Sequence, residues 1–393
     1  MRYIYQIIIR LYELSIKIAS FFNSKAHKLV LGRNNWELNL SEKIIKNEKY
    51  CWIHCASAGE FEQAIPLINE IKNKHNYFKI AVSFFSPSGF EMYQDSGLAD
   101  VFFYFPLDTR QNAENLIKIL NPDLCIFIRN EIWWNMLTVL KEKNISTYLV
   151  NANSDQKRNI LYQYYLDRTY PLFTKIFDTK TFGNTKLDKV IENKNTIFSD
   201  DSLEDFCRDS FVIILGSSWQ TEEKIAANFY KKNRDEILNL KMIIAPHEFD
   251  ATKLNELETL FSEEVISYSQ YSVPDNSHSV LFLDKKGILK YVYRYADIAF
   301  IGGGFDKTVH NVSEAAVYGI PTIFGPNYQN FEDANIFVEL HIAFDGADEY
   351  KTENLLKQVS IYDERRIIAA NKLNSYFSNR EKTSERIISE ILK

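Results

Sequence analysis

Residues 300–334 read FIGGGFDKTVHNVSEAAVYGIPTIFGPNYQNFEDA, and the rest of the chain is arranged around this stretch. An apolar run, residues 296–301, leads into it with the residue types of a strand. Gly302, Gly303 and Gly304 follow. Glycine tolerates φ > 0 and lets backbone N–H groups come close to a ligand. His310, Asn311, Val312, Ser313 and Glu314 then lead into the first turns of an expected helix. Such an N-terminus carries unpaired N–H groups and partial positive charge, which suit a phosphate or a carboxylate. Gly319 and Pro321 end the helix, Thr322-Ile323-Phe324 reads as another strand, and Gly325-Pro326 turns again. Strand, glycine loop, helix, strand is a layout that can cradle a nucleotide. It is also the layout of an ordinary βα turn in a parallel sheet.

The same alternation runs through the chain. Residues 50–55, 78–85, 101–105, 123–128, 146–150 and 211–215 read as strands, separated by helical or polar segments. At 393 residues the chain is too long for one compact core, so two parallel-sheet α/β domains are expected. Polar residues dominate 192–204, which reads as the linker, and 349–393 reads as helices whose last member can cross back to the first domain. The expected division is a terminal helix over 1–24, a first domain over 25–195 and a second over 196–393. The net charge of −6 gives no reason to expect nucleic-acid binding. The 28 Phe and 23 Tyr suit a core and also contact with lipid or sugar. Cys51, Cys55, Cys125 and Cys207 lack paired-ligand spacing; Cys51 and Cys55 read as buried thiols of a strand, and a reducing, cytoplasmic compartment fits best.

Residues 1–22, MRYIYQIIIRLYELSIKIASFF, sort as an amphipathic helix. Arg2, Gln6, Arg10, Glu13 and Lys17 lie on one face, and Ile4, Ile8, Leu11, Leu14, Ile18 and Phe21 on the other. The uncharged run is far short of the roughly 20 residues that span a bilayer. Within residues 1–33, Arg2, Arg10, Lys17, Lys25, Lys28 and Arg33 face the single acid Glu13. A basic amphipathic helix suits an anionic membrane surface. The plainer reading is a helix docked on the first domain.

Several motifs carry chemistry. Trp52-Ile53-His54 leads to Ser57, Gly59 and Glu60, where a strand gives way to a helix. In open α/β sheets ligands bind at such strand ends, although on position alone Glu60 matches the dipole of a helix start. Ser86-Pro87-Ser88-Gly89 and Arg129-Asn130-Glu131-Ile132-Trp133-Trp134-Asn135 occupy two further strand ends, and Gly183-Asn184-Thr185-Lys186 lies ahead of the linker. Taken in order with the stretch at 300–334, they resemble the Kdo transferases, which move 3-deoxy-D-manno-octulosonic acid (Kdo) from CMP-Kdo to a lipid A precursor. The resemblance covers nearly the whole chain after residue 25. It departs from the family pattern at Arg129, Trp134 and Asn153, and the Pro246-His247 motif is one residue short.

The resemblance implies a fold of the GT-B type: two Rossmann-like domains facing a cleft, with a membrane helix at the N-terminus. It implies Glu60 as general base, Glu131 as a second carboxylate assisting the transition state, and Lys186 as a neutraliser of charge on the sugar donor. Ser57, Gly59, Ser86 and Ser88 would lie on the acceptor side. CMP-Kdo would be held by Ser217, Ser218, Pro246, His247, Lys286, Gly287, Ile288, Gly303, Gly304, His310, Asn311 and Glu314. Neither a metal nor a cofactor is expected. The partners implied are CMP-Kdo, a lipid A precursor and the cytoplasmic face of the bacterial inner membrane, touched peripherally. Two rivals stay open: a transferase of the same fold using a UDP-sugar, and a non-catalytic nucleotide-sugar or lipid-binding protein.

Overall fold

The structure, a computed structural model, describes residues 2–153, 159–262, 264–275 and 277–393. It divides into two compact units: residues 1–189 together with 381–393, and residues 190–380.

The first unit is built on a six-stranded sheet. Its strands are β1 (Lys49–Cys55), β2 (Phe78–Phe84), β3 (Val101–Tyr104), β4 (Leu124–Ile128), β5 (Ser146–Ala152) and β6 (Lys175–Asp178), in the order β3-β2-β1-β4-β5-β6. Every neighbouring pair is parallel. Parallel sheets are covered on both faces, so their strands are apolar throughout. β1 shows this: Trp52 turns to one core, and Cys51, Ile53 and Cys55 to the other. These cysteines are free and buried, as is Cys125. Strand order reverses between β1 and β4, and at such a switch point the connections leave to opposite sides and open a crevice at the C-terminal strand ends.

Three helices precede the sheet: α1 (Arg2–Ala19), α2 (Ser24–Arg33) and α3 (Trp36–Lys43). α1 docks through Tyr5, Ile9 and Tyr12; the Tyr5 hydroxyl donates to Asp108 at 2.5 Å, and the Tyr5 ring stacks on Tyr165 at 5.9 Å. The stripe Ile4, Ile8, Leu11, Leu14, Ile18 is a different face, and each member is more than half exposed. α1 is thus both docked and apolar on its outer side. β1 is followed by α4 (Ala58–Lys74) and β2 by α5 (Pro87–Tyr93).

The second unit carries seven parallel strands: β7 (Phe211–Ser218), β8 (Leu240–Pro246), β9 (Val265–Ser267), β10 (Val280–Phe282), β11 (Ile298–Ile301), β12 (Thr322–Phe324) and β13 (Ala343–Asp345). Their order is β13-β12-β11-β7-β8-β10-β9, which places the switch point between β7 and β11.

Three expectations are corrected. The segment 192–204 is not a linker: helices cover Thr185–Asn195 and Asp201–Cys207, and the second of these buries Leu203 and Phe206. The division falls at 189/190 rather than 195/196, and the helix Thr383–Ile391 belongs to the first unit, because Ile387, Ile388 and Ile391 pack into the core that holds Cys51 and Ile53. The helix expected after His310 is a single turn, Ser313–Ala316; Gly319 follows at φ +82° and turns the chain into β12.

Candidate active site

The loops after β1, β2 and β4 meet at the first switch point. The Phe85 N–H donates to the Cys55 carbonyl at 3.2 Å and the Ser86 N–H to the Ala56 carbonyl at 2.7 Å, which joins the first two loops. Gly89 makes this approach possible: a Cβ there would stand 2.5 Å from the Phe84 ring and 3.0 Å from the Ala58 nitrogen. Gly59, by contrast, borders open space. Ser57 and Ser86 are the N-cap residues of α4 and α5, yet neither hydroxyl makes a capping bond. Ser86 pairs instead with Ser88 at 2.9 Å. Ser57, Gly59, Ser86 and Ser88 therefore share one rim of the switch point.

Glu60 stands in the first turn of α4, and its carboxylate accepts the Ala56 N–H at 2.5 Å. Burial is the main cause that lifts its pKa from 4.5 to about 7, with the negative charge of Glu131 second. The Ala56 and Ser57 N–H groups and the Arg129 guanidinium act the other way. A carboxyl group that titrates near neutrality can take up or release a proton under ordinary conditions.

Glu131, beyond the end of β4, is held in place by its neighbours. Its Oε2 accepts the Trp133 indole N–H at 2.8 Å and lies 3.0 Å from His54 Nε2. Beneath it, Trp52 Nε1 donates to Ser83 Oγ at 2.8 Å, and Ser83 Oγ lies 2.8 Å from His54 Nδ1. The Trp133 indole nitrogen also lies 3.1 Å from His54 Nε2, so the His54 ring is seated between Ser83 on one side and the Glu131–Trp133 pair on the other. His54, Ser83 and Trp52 were absent from the sequence-derived site. Ser83 stands 29 and 31 positions from His54 and Trp52, a spacing that makes sense only once β1 and β2 are paired. Arg129, where the family pattern has an acid, adopts φ +61° and projects its charge toward Glu60.

Lys186 begins the helix Thr185–Asn195. The start of that helix is tied to α4: Thr185 Oγ1 donates to the Gln63 carbonyl at 2.6 Å, and the Asn151 amide bridges Thr185 Oγ1 and Gln63 Oε1 at 2.7 and 2.9 Å. Gln63 is one turn beyond Glu60, so the lysine backbone is fixed to the helix that carries the raised carboxyl group.

In the second unit, Ser217 and Ser218 end β7, Pro246 and His247 end β8, Lys286, Gly287 and Ile288 follow β10, and the three glycines follow β11. All lie at one edge of the sheet because the strands are parallel. The glycines serve backbone packing first. A Cβ on Gly302 would meet the Ser217 carbonyl at 2.2 Å, one on Gly303 the Thr308 carbonyl at 2.4 Å, and one on Gly304 the Gly325 nitrogen at 2.5 Å. The expectation that these N–H groups face a ligand is corrected at Gly303, whose N–H donates to Glu222 at 2.9 Å. Glu222 is fully buried and also accepts the Trp219 N–H at 3.0 Å; burial raises its pKa.

Beside this loop lies an aromatic cluster. His247 stacks on His310 at 4.3 Å, Trp219 Nε1 donates to His310 Nε2 at 3.1 Å, and Lys307 Nζ lies 3.3 Å above the Trp219 ring. Burial lowers the His310 pKa to about 4, with the His247 and Lys307 charges adding to the effect, so the ring is neutral near pH 7. Asn311 Nδ2 donates to Glu314 Oε1 at 2.9 Å, and Asn311 Oδ1 accepts the Ser313 N–H at 3.2 Å. The structure thus brings His247, His310, Asn311 and Glu314 to the loops expected to hold the nucleotide. Trp219, next to Ser217 and Ser218, joins them, and so does Glu222, which no motif announced.

Residues 34–187 match the model of the 3-deoxy-D-manno-octulosonic-acid transferase (kdotransferase) family. A bifunctional glycosyltransferase/methyltransferase of Fusobacterium nucleatum is 26% identical over 395 residues, covering 86% of this chain and 58% of that protein, so the chain spans less than two thirds of this relative. A 3-deoxy-D-manno-octulosonic acid transferase of Chlamydophila psittaci is 26% identical over 312 residues, covering 72% of this chain and 70% of its own. Among solved structures, UDP-GlcNAc 2-epimerase from Neisseria meningitidis bound to UDP-GlcNAc shares the fold, with a TM-score of 0.61 at 15% identity over 88% of this chain and 99% of that one. Two Rossmann-like parallel-sheet units make the architecture GT-B-like. The matched segment, residues 34–187, and relatives 26% identical over most of the chain make the Kdo transferases the family that this chain is similar to.

Proposed function

We propose that the chain is an inverting glycosyltransferase that moves Kdo from CMP-Kdo to a lipid A precursor, working peripherally at the cytoplasmic face of the bacterial inner membrane. The observation that carries this reading is the carboxylate pair at the first switch point. Glu60, titrating near 7, is suited to take a proton; Glu131, fixed by Trp133 and His54, is suited to stay put. In the reaction an acceptor hydroxyl attacks the anomeric carbon of Kdo. The new C–O bond forms as the bond to the CMP phosphate breaks, the electron pair leaves with CMP, and the hydroxyl proton passes to Glu60. General-base help of this kind contributes about 10²–10⁴-fold. Lys186 offsets charge on the sugar donor. In the second unit the His310–His247 stack offers a flat surface to a base, and Glu314 offers an acceptor to ribose hydroxyls. The exposed apolar stripe of α1, with the basic residues near it, supports contact with an anionic lipid surface. Metal-independent transfer is part of the reading.

The test is CMP release by the purified chain given CMP-Kdo and a lipid A precursor, with and without a chelator. Release that needs the lipid and ignores the chelator is expected. Release from a UDP-sugar instead, or none with any donor, would overturn the assignment.

A further inference from the structure

Tyr12, Ile16 and Ala19 of α1, Ala26 and Leu29 of α2, and Phe85 ahead of α5 wall a cavity of about 410 Å³. That lies within the range of small-molecule pockets, about 300–1,000 Å³. Its lining is mostly apolar; of the polar members, Asn23 is engaged in capping α2 at the Ala26 N–H.

Three observations say what fits there. The first is continuity with the exposed apolar surface: the helix that supplies three of the walls carries Leu11, Leu14 and Ile18 on its outer face, and Phe21 and Phe22 stand 82% and 89% exposed at the α1–α2 elbow. The second is continuity with the candidate active site. Phe85 stacks on Trp133 at 5.1 Å, and the Trp133 indole donates to Glu131; Ser86 lines the cavity and pairs with Ser88 on the acceptor-side rim. The third is charge. Arg33 lies 4.6 Å above the Phe85 ring, donates to the Phe105 carbonyl at 3.0 Å and bonds Tyr12, with no carboxylate acting on it among the described residues. Lys25 is part of the cavity wall. An apolar seat with uncompensated positive charge beside it matches a lipid whose head is anionic.

We propose that this cavity seats one acyl chain of the lipid acceptor, so that the glycolipid is held by a tail as well as by its sugar. The proposal rests on the lipid-acceptor reading above. The seated chain fixes how far the sugar hydroxyl can reach, and its nearest ring, Phe85, is one stacking contact from the tryptophan that orients Glu131.

The full-length protein is irradiated with an anionic lipid A precursor that carries a diazirine at the end of one acyl chain, and the labelled residues are mapped by mass spectrometry. Label on Ile16, Ala19 or Leu29 is expected. Ala19→Trp fills the cavity and should cut that labelling at least about tenfold, the loss expected when two methylenes are expelled. If circular dichroism shows that this variant does not fold, Ala19→Leu fills part of the space and should reduce labelling several-fold. Label confined to Ile7 and Leu11 on the outer face, no label at all, or labelling indifferent to both substitutions would overturn the proposal. The measurement needs no turnover. A protein that labels in the cavity but transfers no Kdo removes the transferase reading alone. One that transfers Kdo but labels elsewhere removes the cavity alone.

Discussion

Glu60 is the residue on which the chemistry turns, and its titration gives the sharpest expectations. As a base it must be ionised, so the rate should rise with pH through about 7 and then level off. Glu60→Gln cannot take the proton: turnover should fall about 10²–10⁴-fold while calorimetry shows CMP binding unchanged. The stability effect has the opposite sign to that of a helix-start acid. A carboxyl group raised from 4.5 to about 7 on folding favours the folded state only while protonated, and that advantage is lost as pH rises through 7. Glu60→Gln should therefore melt higher than the wild type at pH 8, by on the order of 1–3 kcal/mol, with the difference fading toward pH 4.5. A lower melting point at pH 8 would return Glu60 to the role of dipole-matched acid. In the second unit Glu222 positions the glycine loop. Glu222→Ala strands the Gly303 and Trp219 N–H groups, each at a cost of about 1–3 kcal/mol, so both the melting point and CMP affinity should drop; affinity unchanged by calorimetry would separate Glu222 from the nucleotide loops. Legibility at this scale follows sequence distance. Glu60 and Glu131 were readable because each closes a local strand–loop motif. Trp52 and His54 were readable only as the start of the motif that ends in Glu60; their bonds to Ser83 were not, because a hydrogen-bond ladder across two strands leaves no pattern along either one. Glu222 stands in the first turn of the helix Gln220–Asn233, a place where an acid needs no further explanation.

At the scale of elements, α1 shows how far periodicity reaches. The apolar stripe Ile4, Ile8, Leu11, Leu14 and Ile18 was legible from spacing alone, and it is a real face of the helix. What spacing could not tell is which face docks. The docked face is Tyr5, Ile9, Tyr12 and Ile16, chosen by the Asp108 carboxylate and the Tyr165 ring, which lie 103 and 160 positions away from Tyr5. Deleting α1 would also strip Tyr5 from buried Asp108, so the informative change is to the outer face. Ile4, Ile8 and Leu11 changed together to Ser should lower binding to anionic vesicles by about tenfold or more, since each apolar side chain withdrawn from lipid counts for about 1.5–3 kcal/mol. The melting temperature should hold, because each of these side chains is more than half exposed. Binding of the unaltered chain should also weaken with salt, as screening shortens the reach of Arg10, Lys17 and Lys25. Equal sedimentation of variant and wild type would leave α1 as a docked helix only. The triple glycine shows the opposite limit. The loop was legible, but its glycines answer to backbone crowding against Ser217, Thr308 and Gly325, which no local reading contains.

At the scale of the whole molecule, the chain passes between its two units twice, at 189/190 and at 380/381, and both passages are pinned to the first unit at one carboxylate. Asp188, next to the first passage, accepts the N–H groups of Thr383 and Ser384, just beyond the second, at 3.2 and 2.6 Å. The last helix, Thr383–Ile391, then lays Ile387, Ile388 and Ile391 on the sheet core and pairs Glu385 with Lys74 at 2.5 Å and Glu390 with Lys175. That the chain ends in helices, the last of them able to cross back to the first domain, was legible; the carboxylate that pins it was not, since Asp188 and Thr383 stand 195 positions apart. The boundary expected at 195/196 failed for the same reason: polarity marked 192–204 as a connector, while burial of Leu203 and Phe206 made part of it a helix of the second unit. Ending the chain after Arg380 should therefore damage the unit farther away in sequence. The first unit loses three buried isoleucines, about 1.5–3 kcal/mol each, and Asp188 loses two backbone donors, so its unfolding by urea should shift to markedly lower concentration. The second unit keeps all seven strands and should bind CMP by calorimetry as the full chain does. Asp188→Ala should give a smaller shift in the same direction, because the isoleucines remain seated. A truncated chain that lost CMP binding while its first unit stayed as stable as before would mean that the last helix completes the second unit.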